Sequence, residues 1–150
     1  MSSGLATGWI ERLSPDGSID VIFRHCDGQS LLFPNDIVFD EMGNFYFTGS
    51  GTFYFTDTRV GIWPDRPLDG MVYWASPDGQ TIQLMAEGLN LPNGTGITLD
   101  GTKLVVGESV SRKLWAFEIL SPGKLGQRCE FAEVPEPFVP DGFCFDAEGF

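Results

Sequence analysis

Three residues in this chain of 150 stand at matching places in a repeated phrase: Pro34-Asn35, Pro92-Asn93 and Pro140-Asp141. Two carboxamide oxygens and one carboxylate on a common axis would form an oxygen-rich, weakly charged site. Such donors suit a hard divalent cation, calcium above all, with water completing the shell. The same residues have a plainer explanation. Asn and Asp are common in turns because they tolerate strained backbone and hydrogen-bond their own chain. On spacing alone, turn chemistry carries more weight than ligation.

What must position these residues is a repeat. Leu91–Ser109 (LPNGTGITLDGTKLVVGES) reads as two short strands joined by an Asp100-Gly101 turn, the residues that tight hairpins select. Leu32–Ser50 (LFPNDIVFDEMGNFYFTGS) restates it, and Val139–Phe150 (VPDGFCFDAEGF) begins it again. A second phrase, Gly8–Gly17, recurs as Gly70–Gly79, both closing on Ser-Pro-Asp-Gly, with a degenerate copy from Lys113 to Gly123. Asn35 and Asn93 lie 58 positions apart, and Asn93 and Asp141 lie 48 apart. The longer interval contains a local duplication, Phe45-Tyr46-Phe47-Thr48 restated as Phe53-Tyr54-Phe55-Thr56. A unit of about 50 residues with four short strands predicts a β-propeller blade. The expected fold is therefore all-β: a propeller fragment of about two and a half to three four-stranded blades, in one domain over 1–150. The blade units run roughly 8–57, 70–109 and 112–150. Residues at the start of each innermost strand converge on a propeller's axis, which is where Asn35, Asn93 and Asp141 fall.

Composition agrees and excludes some functions. The 19 glycines, 10 prolines and 13% aromatic residues suit many turns, and no stretch sustains helical periodicity. A net charge of −12 argues against a nucleic-acid partner. No apolar run is long enough for a helical membrane span, and MSSGLATG lacks the basic and apolar regions of a signal peptide. The three cysteines, Cys26, Cys129 and Cys144, show no metal-ligand spacing. Reduced thiols and a cytoplasmic setting are expected. His25, the single histidine, reads as a solvated loop residue. The segment 58–69, with Arg59, Trp63 and Arg66, reads either as a pocket mouth or as a surface loop. An open stack of blades would expose strand edges, so the expectation is either a fragment of a longer propeller or a protomer that completes itself by self-association through those edges.

The wording also resembles a known family. Pro34-Asn35-Asp36 with Val38-Phe39-Asp40 and Gly43-Asn44-Phe45-Tyr46-Phe47-Thr48, Gly70-Met71-Val72-Tyr73 with Ser76-Pro77-Asp78-Gly79, Pro92-Asn93-Gly94, and Pro140-Asp141-Gly142 with Phe145-Asp146-Ala147-Glu148-Gly149 are similar to the senescence-marker-protein/gluconolactonase/luciferin-regenerating-enzyme family. Within that family of six-bladed propellers, the bacterial drug-responsive lactonases are nearest in wording. The resemblance implies a metal-dependent hydrolase opening lactone rings, or the central part of one. It implies a divalent metal, calcium ahead of zinc or magnesium, held by Asn35, Asn93 and Asp141. Asp141 would also act as general acid/base, and a small lactone would be the substrate. The family's first-blade Glu has no counterpart in this chain. Phe33 stands where sugar-lactone members carry Arg, which disfavours a gluconate-type substrate. The alternative is a non-catalytic propeller scaffold that binds a ligand or a partner protein.

Overall fold

The computed structural model describes residues 7–52 and 67–149. The second Phe-Tyr-Phe-Thr copy and residues 58–66, with Arg59, Trp63 and Arg66, lie outside the described residues. The chain opens with a strand pair, β1 (Ile10–Leu13) and β2 (Ile19–Phe23), and a minimal ladder, β3 (His25–Cys26) with β4 (Gln29–Ser30). The loop expected around His25 is thus a tiny hairpin. Asp27 and Gly28 both take positive φ, 49° and 79°, which a right-twisted two-residue turn requires.

Two four-stranded antiparallel sheets follow. The first holds β5 (Pro34–Phe39), β6 (Phe45–Gly49), β7 (Gly70–Ala75) and β8 (Ile82–Leu89), paired in chain order. The second holds β9 (Pro92–Ile97), β10 (Lys103–Glu108), β11 (Lys113–Ser121) and β12 (Lys124–Glu133), again paired in chain order. A repeat read from sequence has no marked beginning, and hydrogen bonding supplies the phase. Each sheet runs from a Pro-Asn turn through the outer pair that follows it, over 34–89 and 92–133. The first Phe-Tyr-Phe-Thr copy is the one that forms β6. Among the described residues no helix interrupts the sheet, and Ile82–Leu89 pairs with β7 as strand β8. Residues 139–149 make no strand ladder. Among the described residues their backbone is tied to β9 only at one point, where the Gly94 N–H donates to the Asp141 carbonyl at 3.1 Å, and a ladder needs a run of such bonds.

The burial pattern shows why these sheets stack as propeller blades. All five residues of β6 are buried, so alternation of apolar and polar positions disappears. Phe45 and Phe47 point to one face, into a core shared with Phe23 of β2, Cys26 of β3 and Leu31 just after β4. Tyr46 points to the other face, joining Val72, Trp74 and Leu89 of its own blade to Leu104, Val106 and Phe117 of the next. Fully burying one such side chain stabilises by about 1.5–3 kcal/mol. Four-stranded sheets stacked face to face in chain order are the arrangement of propeller blades. The fold is all-β, a partial propeller, as the repeat implies.

Candidate active site

The site is built where β5 and β9 begin. The residue before each strand, Phe33 or Leu91, takes a positive φ, 48° and 59°. Few non-glycine residues do so, and here the proline that follows admits no helical continuation. The kink is held from within its own blade: the Ser50 N–H donates to the Phe33 carbonyl at 3.0 Å, and the Ser109 N–H to the Leu91 carbonyl at 3.1 Å. Both turns therefore deliver Pro-Asn to the same place on adjacent blades.

The serine hydroxyls then do two things. Ser50 Oγ donates to the Pro92 carbonyl at 2.8 Å and accepts from Asn35 Nδ2 at 3.0 Å. One blade on, Ser109 Oγ donates to the Pro140 carbonyl at 2.7 Å and accepts from Asn93 Nδ2 at 3.4 Å. Asn35 is exposed, Asn93 half-buried and Asp141 exposed, while Ser50 and Ser109 are buried. With each amide nitrogen turned toward its serine, Oδ1 of Asn35 and of Asn93 faces away from it. Among the described residues neither oxygen receives a hydrogen bond.

Further bonds lock the blades in register. Thr48 Oγ1 donates to the Asn93 carbonyl at 2.7 Å, and it accepts the Asp36 N–H at 3.2 Å. The Asp36 carboxylate reaches across to accept the Thr95 N–H at 2.8 Å. In the second blade Gly94 stands where Asp36 stands in the first, and its N–H donates to the Asp141 carbonyl at 3.1 Å. A Cβ on Gly94 would lie 2.3 Å from that carbonyl oxygen, so only glycine lets Asp141 approach. The structure thus ties all three sequence-predicted residues into one hydrogen-bonded chain at the mouths of neighbouring blades.

Some residues escaped the sequence reading. Ser50 and Ser109 close both copies of the repeated phrase, and that shared ending was the available signal. Glu108, buried at 4% exposure, accepts the Asn90 N–H at 2.9 Å and the Ser111 hydroxyl, with the Arg128 guanidinium 3.7 Å away. It braces the turn that presents Asn93, and its counterpart in the first blade is Gly49, so the repeat concealed it. His25 is exposed, and Cys26, Cys129 and Cys144 are free thiols. Among the described residues no three His, Cys, Asp or Glu side chains cluster as metal ligands. The candidate set instead leans on amides.

Stacked four-stranded antiparallel sheets define a partial β-propeller architecture. The chain matches the SMP-30/Gluconolactonase/LRE-like region over residues 3–150 and belongs to that family. It is 30% identical over 138 residues to a gluconolactonase of Zymomonas mobilis, covering 86% of this chain and 38% of that protein. To Lactonase drp35 of Staphylococcus aureus it is 30% identical over 118 residues, covering 76% and 33%. A diisopropyl-fluorophosphatase of Loligo vulgaris is 28% identical over 141 residues, covering 89% and 44%. Among solved structures, a gluconolactonase from Xanthomonas campestris superposes with a TM-score of 0.76 at 29% identity, covering 98% of this chain and 49% of that one. The chain spans less than half the length of each of these relatives.

Proposed function

We propose that this chain supplies the Asn35, Asn93 and Asp141 part of a lactone-hydrolysing, metal-dependent site. The observation that carries this reading is the repeated serine latch. It turns both amides the same way, nitrogen toward the serine and oxygen away from it, and the residue after Asn93 hydrogen-bonds the backbone of the exposed Asp141. That donor set fits a hard divalent cation, for which neutral amide oxygens and a carboxylate are suitable ligands. Calcium is the first candidate, with zinc and magnesium behind it. Bound there, the cation would supply Lewis acidity to the lactone carbonyl and to water.

The chain's own residues have separate tasks. Asn35 and Asn93 present oxygens whose direction is set before any ligand arrives. Asp141 is the exposed carboxylate able to take a proton from water and return it to the leaving alkoxide as the ring opens. Its backbone is anchored by Gly94, so the carboxylate is the part left free to act. Lactone hydrolysis is favoured over phosphoester chemistry because two of the relatives are named lactonases. Phe33, where sugar-lactone members carry Arg, favours lactones with apolar substituents.

The test uses wild-type and Asp141→Asn protein, with calcium and with chelator, against a panel of aliphatic and sugar lactones. Calcium should raise the unfolding midpoint, and acid release from a lactone should require calcium. A ligand held only by the native state stabilises by about 2.7 kcal/mol at a hundredfold excess over Kd. Asp141→Asn should lose turnover by at least about a hundredfold while still folding. Full calcium-dependent turnover in that variant would remove Asp141 as the base. A melt indifferent to calcium would remove the metal set.

A further inference from the structure

The geometry points to Ser50 and Ser109 as positioning residues that hold the ligand amides in one orientation and pass that constraint from blade to blade. The argument is a proton count. A serine hydroxyl has one proton to donate. In Ser109 it goes to the Pro140 carbonyl at 2.7 Å, so toward Asn93 the oxygen can only accept. The partner at 3.4 Å must then be the amide nitrogen, and Oδ1 must face the other way. Ser50 stands in the same relation to Asn35, with the Pro92 carbonyl as its acceptor.

Each accepting carbonyl belongs to the residue just before the next ligand: Pro92 precedes Asn93, and Pro140 precedes Asp141. The bonds therefore run ligand, serine, peptide, next ligand along the inner rim. Both hydroxyls are sealed from water, Ser50 at 0% and Ser109 at 3% exposure, where a hydrogen bond is stronger and an unpaired polar group more costly. The arrangement also selects asparagine over aspartate at 35 and 93. A carboxylate has no proton to offer, so it would meet the hydroxyl's lone pairs or take its proton away from the neighbouring blade.

The functional part of this inference rests on the metal reading above, but its central claim can be tested without metal. Unfolding midpoints are measured in chelator for Asn93→Asp, Ser109→Ala and the double variant, and separately for Asn35→Asp, Ser50→Ala and their double. The two cycles lie in different blades, so failure of one variant to fold leaves the other decisive. Asn93→Asp should lower the midpoint in the parent. In the Ser109→Ala background it should lower it by roughly half as much or less, since the conflicting hydroxyl is gone. Strict additivity in the cycles would overturn the proton assignment.

Calcium titration by calorimetry then reads the second consequence. Loss of an outer-shell partner typically costs about 10- to 100-fold in metal affinity, so Ser109→Ala should weaken calcium by that factor, and Ser109→Thr, which keeps the hydroxyl, should recover most of it. Unchanged calcium affinity in Ser109→Ala would overturn the positioning role. A parent that ignores calcium while its cycles remain coupled would sink the metal reading and leave the relay standing.

Discussion

Single carboxylates at the far ends of the hairpins show how cheaply this chain builds its turns. Asp100 Oδ1 accepts from Thr98 Oγ1 at 2.6 Å, from the Thr102 N–H at 3.0 Å and from Thr102 Oγ1 at 2.8 Å. Those donors, the Thr98 hydroxyl foremost, hold its pKa down to about 2. A depressed carboxylate contributes stability above its unfolded value, near 3.8, and loses it as pH falls toward the folded value. The wild type should therefore lose part of its margin over an Asp100→Ser variant between about pH 4 and about pH 2. The margin should be constant above about pH 5. Paired melts across that range, with NMR titration of the side chain, check both. A gap that persists unchanged to the lowest pH would mean that the turn's preference lies in backbone geometry and not in the ionised oxygen.

Along the strands, glycine decides where neighbouring blades can touch. Gly94 is the clearest case, because a Cβ there would lie 2.3 Å from the Asp141 carbonyl oxygen and 2.8 Å from the Phe143 ring. Gly94→Ala should cost about 1–3 kcal/mol, as overpacking does, and should displace the Pro140–Phe143 segment from β9. Melting and calcium titration check this: a variant as stable as its parent would show that the segment does not dock there. The same position shows what could be read in the sequence. Pro-Asn-Gly was legible as a turn because turn chemistry is local, and the period of about 50 was legible because every blade is made of local hairpins. That Gly94 admits Asp141's backbone was not legible, since the two meet only after the blades stack. Ser50 and Ser109 were hidden for a related reason. Their partners are a proline carbonyl in the next blade and an amide 15 or 16 residues earlier, and no periodicity reports such a contact. Phe33 and Leu91 carry positive φ without being glycine, so no residue type announced the kink.

At the scale of the described molecule, stability is shared between blades because the two four-stranded sheets bury their apolar faces against each other. Leu104 belongs to β10, has 0% exposure, and packs in a cluster with Tyr46, Val72, Trp74 and Leu89 of the preceding blade. Leu104→Ala removes a fully buried side chain at a shared face and should cost about 2–5 kcal/mol. The location of that loss matters more than its size. Stacked repeats are stabilised largely by their interfaces, so a cavity at one interface should weaken the sheets on both sides of it. Native-state hydrogen exchange can read this directly. The amides of Tyr46 and Val72, in the first blade, should lose protection along with those of Val105 and Val106 in the second. Asn35 and Asn93 belong to those two blades and are joined through Ser50 and Pro92, so under the proposed metal reading calcium added to the same variant should restore protection in both. Loss confined to the second blade would mean that each sheet holds itself together. The rim would then be assembled from independent parts, and its ligand geometry would have to be set within each blade alone.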